Sequence, residues 1–151
     1  VKDGGHLFAK FKTAFTNENL KVYEDSQPQV IDKLLWISYR QFTTPEKVRL
    51  SSEKYHCPEK DVTWFMELLN PEVAQVLASY DHYNWKRYAA VTQNSYGKGT
   101  AVYLGCHVSD GMLREILGDI LKEAELWGRE QEVEFPVIIK KGINDSGNEI
   151  V

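Results

Sequence analysis

The stretch from Tyr88 to Trp127 limits the possible folds more than any other part of the chain. Arg87 to Gln93 and Thr100 to Gly105 are two apolar runs joined by Asn94-Ser95-Tyr96-Gly97-Lys98-Gly99. The glycines of that connection suit the positive φ angles of a tight hairpin loop. Directly after Gly105, Ser109-Asp110 supplies a helix cap. Leu113, Ile116, Leu117, Ile120, Leu121 and Ala124 then recur at helical spacing, with Gly128 as the stop. A strand pair followed at once by one amphipathic helix, whose apolar stripe needs a sheet to cover it, predicts a layered α/β domain.

The remaining segments fit that plan. His6 to Lys12 alternates enough for a strand and, with the aromatics Phe8, Phe11 and Phe15, is expected to be a central one. Pro28 to Leu35 carries a short helical pattern through Val30, Ile31, Leu34 and Leu35. Trp36 to Phe42 and Val48 to Leu50 read as edge strands around the Thr44-Pro45 break, and Ser51 to Lys60 as a long polar loop. Val62 to Leu69 is apolar and stays open between strand and helix, while Val73 to Tyr80 reads as a strand. After Gly128, Val133 to Lys141 reads as a strand, Ile143 to Asn148 as a turn and Glu149 to Val151 as a returning strand. The expected division is therefore an α/β domain over residues 1–128, then a linker and the start of a β-rich domain over 129–151. Gly4-Gly5 has the look of a helix close whose body is absent, so the chain reads as truncated at both ends.

Composition excludes some partners. Of 151 residues, 22 are acidic and 18 basic, a formal charge of -4, and the Lys and Arg residues are scattered. No basic face exists for contact with phosphates, so nucleic acid is not an expected partner. No run approaches the roughly 20 apolar residues of a membrane span. Two cysteines do not make a disulfide framework. No targeting signal is visible, and the compartment stays open, with a cytoplasmic parent favoured.

The sharpest catalytic candidate is Leu104-Gly105-Cys106-His107-Val108-Ser109, where a Cys falls between a strand and a helix as in nucleophile elbows. An elbow needs a small residue on each side of its nucleophile, and Val108 stands where the second Gly belongs. His107 adjoins Cys106, so its side chain points away from it along a strand. A zinc site from His56, Cys57, Cys106 and His107 fails because adjacent ligands do not chelate well. Acids such as Glu115, Asp119, Glu123 and Glu125 sit on a solvated helix face. No catalytic, cofactor-binding or metal-ligating residue is therefore nominated. The segment from Tyr80 to Tyr88 carries Tyr80, Tyr83, Trp85 and Tyr88 among hydrogen-bonding residues. Packing, a subunit contact and a sugar contact all use such residues.

Gly4-Gly5-His6-Leu7, Val76-Leu77-Ala78-Ser79-Tyr80 and the run from Ala89 to Gly105 with its Gly-Lys-Gly hairpin resemble the middle domain of glycoside hydrolase family 42 β-galactosidases. The resemblance implies a flavodoxin-like, class I glutamine amidotransferase-like three-layer fold, here N-terminally truncated and followed by a short C-terminal β-hairpin. It implies a non-catalytic domain that forms homotrimers. The galactoside substrate and the two catalytic glutamates of retaining hydrolysis would belong to a barrel that this chain lacks. No cofactor is implied. At Cys106 the family often carries a small hydroxyl residue. The alternatives are an amidotransferase-like enzyme using Cys106, or a carbohydrate-binding module using Trp85 and its neighbours.

Overall fold

The computed structural model describes residues 1–58, 62–133 and 136–150. In chain order the elements are β1 (His6–Lys10), α1 (Asp32–Leu35), β2 (Ile37–Ser38), β3 (Phe42–Thr43), β4 (Arg49–Ser51), β5 (Thr63–Glu67), β6 (Asn70–Pro71), β7 (Gln75–Asp81), β8 (Ala89–Tyr96), β9 (Gly99–Leu104), β10 (Cys106–His107), α2 (Asp110–Glu123), α3 (Arg129–Glu132), β11 (Gly142–Ile143) and β12 (Glu149–Ile150). The fold is mixed α/β with several sheets. It forms two compact units, Val1–Ile116 and Leu117–Val151, the division falling inside α2.

The hairpin of β8 and β9 runs in unbroken antiparallel register from Val91↔Leu104 to Tyr96↔Gly99. Its loop is two residues, Gly97 and Lys98, and not six, because Asn94 to Tyr96 continue the ladder. Gly97 has φ +65 while Lys98 does not turn positive, the pattern of a type II′ turn. The glycines also admit a close backbone approach. A Cβ on Gly97 would lie 2.3 Å from the Lys2 carbonyl oxygen, and one on Gly99 would lie 1.9 Å from that of Gly5. Residues 1–5 therefore press directly on the turn, and the Lys98 N–H donates to the Lys2 carbonyl at 2.9 Å.

The main sheet has the order β1-β9-β8-β7-β4. β1 pairs with β9 in parallel, and all other pairs in the sheet are antiparallel. β1 is an edge strand and not the expected central one. Its ladder is satisfied on one side only, and of its five side chains only that of Ala9 is buried. β4 holds the other edge, as expected. Trp36 to Phe42 breaks into β2 and β3, with Tyr39 between them paired through backbone bonds to Gln27, both 2.7 Å. The undecided Val62 to Leu69 is the strand β5, which lies between β10 and β3 in a second, antiparallel sheet. Partners on both sides settle it, a context that a short apolar run does not reveal by itself.

The core of the first unit gathers Leu35, Ile37, Tyr39 and Leu69 against Ala9, Ala89, Ala101 and Tyr103. α1 is a single turn that ends where Trp36 enters the left-handed region at φ 49 and donates its N–H to the Asp32 carbonyl at 2.6 Å. α2 starts as the Ser109-Asp110 signal predicts, the Met112 N–H donating to Ser109 Oγ at 3.3 Å. Met112 and Ile116 are buried, whereas Leu117 is 37% exposed.

The helix does not stop at Gly128. Glu125 adopts φ 57, its N–H donates to the Lys122 carbonyl at 3.1 Å, and the Leu126 N–H donates to that of Leu121 at 2.8 Å. This is a Schellman close three residues early. Gly128 instead opens the unpredicted turn α3, its N–H donating to Gln131 Oε1 at 2.8 Å. In the second unit β11 pairs with β12, around an Asn144 side chain that accepts the N–H groups of Ser146 and Asn148 at 3.0 and 2.9 Å. Of the expected strand Val133 to Lys141, residues 134–135 lie outside those described. Residues 136–141 form no strand, and the pairing begins at Gly142. No helix among the described residues is long and apolar enough to cross a membrane.

Replacing Gly99 with Ala is expected to cost about 1–3 kcal/mol, because backbone and not a yielding side chain meets the new methyl group. Gly142→Ala, with no atom within 4 Å, should stay within about 0.5 kcal/mol. Urea unfolding midpoints of the two variants measure the difference.

Candidate functional site

The polar centre of the first unit is Glu67, the only charged residue of the apolar run from Val62 to Leu69 and one with no exposed surface. β5 delivers it inward, its own N–H donating to the Gly105 carbonyl at 2.7 Å. A carboxylate removed from water must be met by donors. Glu67 Oε2 accepts the Tyr103 hydroxyl at 2.8 Å, and Oε1 accepts the Lys12 backbone N–H at 2.9 Å. The Tyr39 hydroxyl lies beside the same carboxyl without closing a well-formed hydrogen bond. The Tyr80 hydroxyl donates to the Glu67 carbonyl at 2.7 Å.

Burial pushes the Glu67 carboxyl above its ordinary range, against the hydrogen bonds and the Lys12 charge that pull it down. Burial first and then the Glu67 charge push the phenols of Tyr39 and Tyr103 far up. These hydroxyls stay protonated and remain donors. The cluster has the charge and donors of a catalytic site, but Glu67 offers no surface for a substrate to touch.

Above this carboxyl lies the turn after β1. Lys12 and Ala14 hold φ 67 and 54, strained values for residues with a Cβ. The Lys12 ammonium sits 3.5 Å from the ring centroid of Phe42, 3.8 Å from that of Phe15 and 4.8 Å from that of Phe65. Phe65 also packs on Phe11 with centroids 5.2 Å apart. Burial lowers the Lys12 pKa and the Glu67 charge partly restores it. The sequence signals for this assembly were an acid inside an apolar run and a lysine between phenylalanines, each too local to show that they meet.

Cys106 is fully buried on β10, and its thiol lies against the hydroxyl of Tyr80. His107, the next residue, takes the opposite side. Its Nδ1 is 3.1 Å from Thr63 Oγ1, and its ring packs at a 41° tilt against Trp64 with centroids 4.6 Å apart. The two side chains do not form a nucleophile and base pair. Cys57 is half-buried, with Sγ 3.5 Å from the Tyr55 carbonyl. Among the described residues no three His, Cys, Asp or Glu side chains converge as metal ligands.

The four aromatic positions singled out in the sequence divide into two pairs. Tyr80 is in the core and Tyr88 is buried just before β8, whereas Tyr83 is 81% exposed and Trp85 half-buried. The loop between β7 and β8 curls so that the N–H groups of Trp85 and Lys86 both donate to the His82 carbonyl, at 3.0 and 2.9 Å. This sets His82 between Tyr83, tilted by 35° with centroids 4.6 Å apart, and Trp85, stacked with centroids 6.2 Å apart. Tyr88 lies 6.4 Å beyond Trp85.

Residues 1–127 match the family described as the beta-galactosidase trimerisation domain. Among curated relatives, beta-galactosidase BgaB of Geobacillus sp. (strain Y412MC61) is 26% identical over 120 residues, which cover 80% of this chain and 18% of that protein. Beta-galactosidase Pbg of Clostridium perfringens is 28% identical over 163 residues, covering 100% of this chain and 23% of that protein. The chain thus spans about a fifth of the length of these relatives. Among solved structures, the cold-adapted beta-galactosidase from Rahnella sp. R3 superposes with TM-score 0.76 at 22% identity, over 84% of this chain and 20% of its own. A GH42 beta-galactosidase from G. stearothermophilus gives TM-score 0.75 at 20% identity, over 85% and 19%. These likenesses establish the fold.

Two outcomes follow from the buried cluster. The folded-state pKa of Glu67 is raised, so the native state holds its proton to higher pH than the unfolded chain. Its contribution to stability is present below the ordinary carboxyl pKa of 4.5 and is lost as pH rises through the folded value. Urea midpoints taken across this range should fall more steeply with pH in the wild type than in Glu67→Gln. A thiol-directed electrophile should label Cys57 in the native protein and Cys106 only after unfolding, as peptide mapping would report.

Proposed function

The chain belongs to the beta-galactosidase trimerisation domain family, which it matches over residues 1–127, and on that premise we propose that it is the non-catalytic oligomerisation domain of a homotrimeric β-galactosidase. The family match carries this reading. The burial of these candidates for chemistry supports it: neither Cys106 nor Glu67 has any exposed surface. In the parent enzyme, terminal β-D-galactosyl residues would be hydrolysed with retention by two glutamates on a barrel. Such a barrel needs about 250 residues, more than this chain contains.

The domain is flavodoxin-like in this reading, which the parallel pairing of β1 with β9 and the helix α2 after the sheet support. Its extent is 1–128, with 129–151 leading into a β domain. Tyr83 and Trp85 contact a neighbouring subunit, while Tyr80 and Tyr88 hold the ends of their loop in the core. The exposed Tyr83 ring, packed on His82 beside Trp85, supports a protein contact, since large aromatic side chains give contact area at small entropic cost.

Sedimentation velocity of the purified 151-residue chain should show a trimer, and the same preparation should hydrolyse no aryl β-galactoside. A monomer at every concentration, or hydrolysis that a point substitution abolishes, would defeat the proposal.

A further inference from the structure

We propose that a cavity of about 270 Å³ beside Tyr88 is a binding site for a small phosphate monoester, whose phosphate is recognised by Arg40 and Arg87. The proposal does not rest on the trimerisation reading.

Two stretches of chain build the walls by simple alternation. Ile37 and Tyr39 are buried in the core of the first unit, so Ser38 and Arg40 project from the other side of the same extended segment. Leu69 is buried in that core as well, and Leu68 and Asn70 project from the other side of theirs. Ser38 faces Asn70 across the antiparallel pair of β2 and β6, which brings their side chains to one face. Backbone bonds tie the walls together. The Leu68 N–H donates to the Gln41 carbonyl and the Ala89 N–H to the Leu69 carbonyl, each at 3.0 Å. The buried side chains of Leu68 and Tyr88 form the apolar part of the cavity, and the rest of its lining is polar or cationic.

Charge identifies the ligand class. The chain carries 22 acidic residues against 18 basic ones, yet no Asp or Glu lines this cavity and two arginines do. Arg49 pairs with Asp81 at 3.9 Å, whereas among the described residues no carboxylate lies within ion-pair distance of Arg40 or Arg87. Arg87 is also held in place. Its guanidinium lies 4.7 Å from the Tyr88 ring centroid, and its Nη2 donates to the Tyr88 hydroxyl at 2.5 Å. A guanidinium fixed against a buried ring loses less rotamer freedom when it binds. Two guanidinium groups match the two charges of a phosphate monoester and meet its oxygens through paired N–H donors. Ser38, Gln41 and Asn70 supply neutral donors and acceptors for hydroxyl groups on the carbon skeleton of the ester. Two arginines are too few to follow a nucleic-acid backbone, and the cavity volume restricts the occupant to a small metabolite.

Isothermal titration calorimetry of the 151-residue chain at low ionic strength tests the site, with glucose 6-phosphate, inorganic phosphate, glucuronate and glucose as probes. Saturable binding of glucose 6-phosphate is expected, with inorganic phosphate weaker and with glucuronate and glucose weaker by roughly tenfold or more. Arg40→Ala and Arg87→Ala should each weaken glucose 6-phosphate binding by about tenfold or more, because each removes a charge-assisted hydrogen-bonding group. Arg49→Ala, outside the cavity, should leave it unchanged. Both cavity arginines are exposed, and urea unfolding checks that their variants keep the wild-type midpoint. No saturable binding of either phosphate probe overturns the proposal. Glucuronate binding as tightly as glucose 6-phosphate overturns the phosphate assignment, and binding that survives both arginine substitutions overturns the location. None of these outcomes bears on whether the chain forms trimers.

Discussion

A carboxyl group with no exposed surface organises the first unit. Glu67 lies in β5, yet its side chain is held by Tyr103 from β9 and by the Lys12 backbone from the turn after β1, with Tyr39 alongside. Its own backbone is tied to Gly105 and Tyr80. One buried acid thereby joins the main sheet, the three-stranded sheet and the turn over both. Removing a single partner would leave an unanswered charge in a region of low dielectric, so these elements are coupled by the cost of separating them. The raised pKa of Glu67 shows that the donors only partly offset its desolvation.

The same tie explains how a strained turn persists. Positive φ at Lys12 and Ala14 is unfavourable for any residue with a Cβ, but the Lys12 N–H is fixed by Glu67 and its ammonium is held over three phenyl rings. Cation–π attraction and a charge-assisted hydrogen bond act at the two ends of one residue. The outcome is a rigid aromatic surface where related layouts place ligands, at the carboxyl ends of parallel strands. Here that position holds Phe15, Phe42 and Phe65 around the Lys12 ammonium.

The C-terminal unit obeys more local rules. A left-handed Glu125 ends α2, Gly128 opens α3, and an Asn144 turn joins β11 to β12. The Trp127 ring lies 3.2 Å from where a Cβ on Gly118 would stand, so the glycine inside α2 makes room for the indole. Each of these features spans at most ten residues, and each depends on the identity of one small or polar side chain.

The sequence by itself determined the elements whose signals are contiguous: the β8–β9 hairpin, the Ser109 cap of α2, the short α1, the strand at β7 and the family resemblance carried by Gly97-Lys98-Gly99. Periodicity, turn chemistry and capping act over a few residues, so they can be read without knowing what lies across the chain. Only the tertiary structure decided that β1 is an edge, that Val62 to Leu69 is a strand, that Tyr80 turns inward while Tyr83 stands in solvent, and that Glu67 is buried. Those outcomes depend on partners far away in sequence, such as Tyr103 for Glu67 and Met66 for Cys106, and the pairing of distant residues leaves no trace in local pattern. The hairpin and helix from Tyr88 to Trp127 defined the architecture from sequence, while the buried Glu67 cluster arose from residues that only folding brings together.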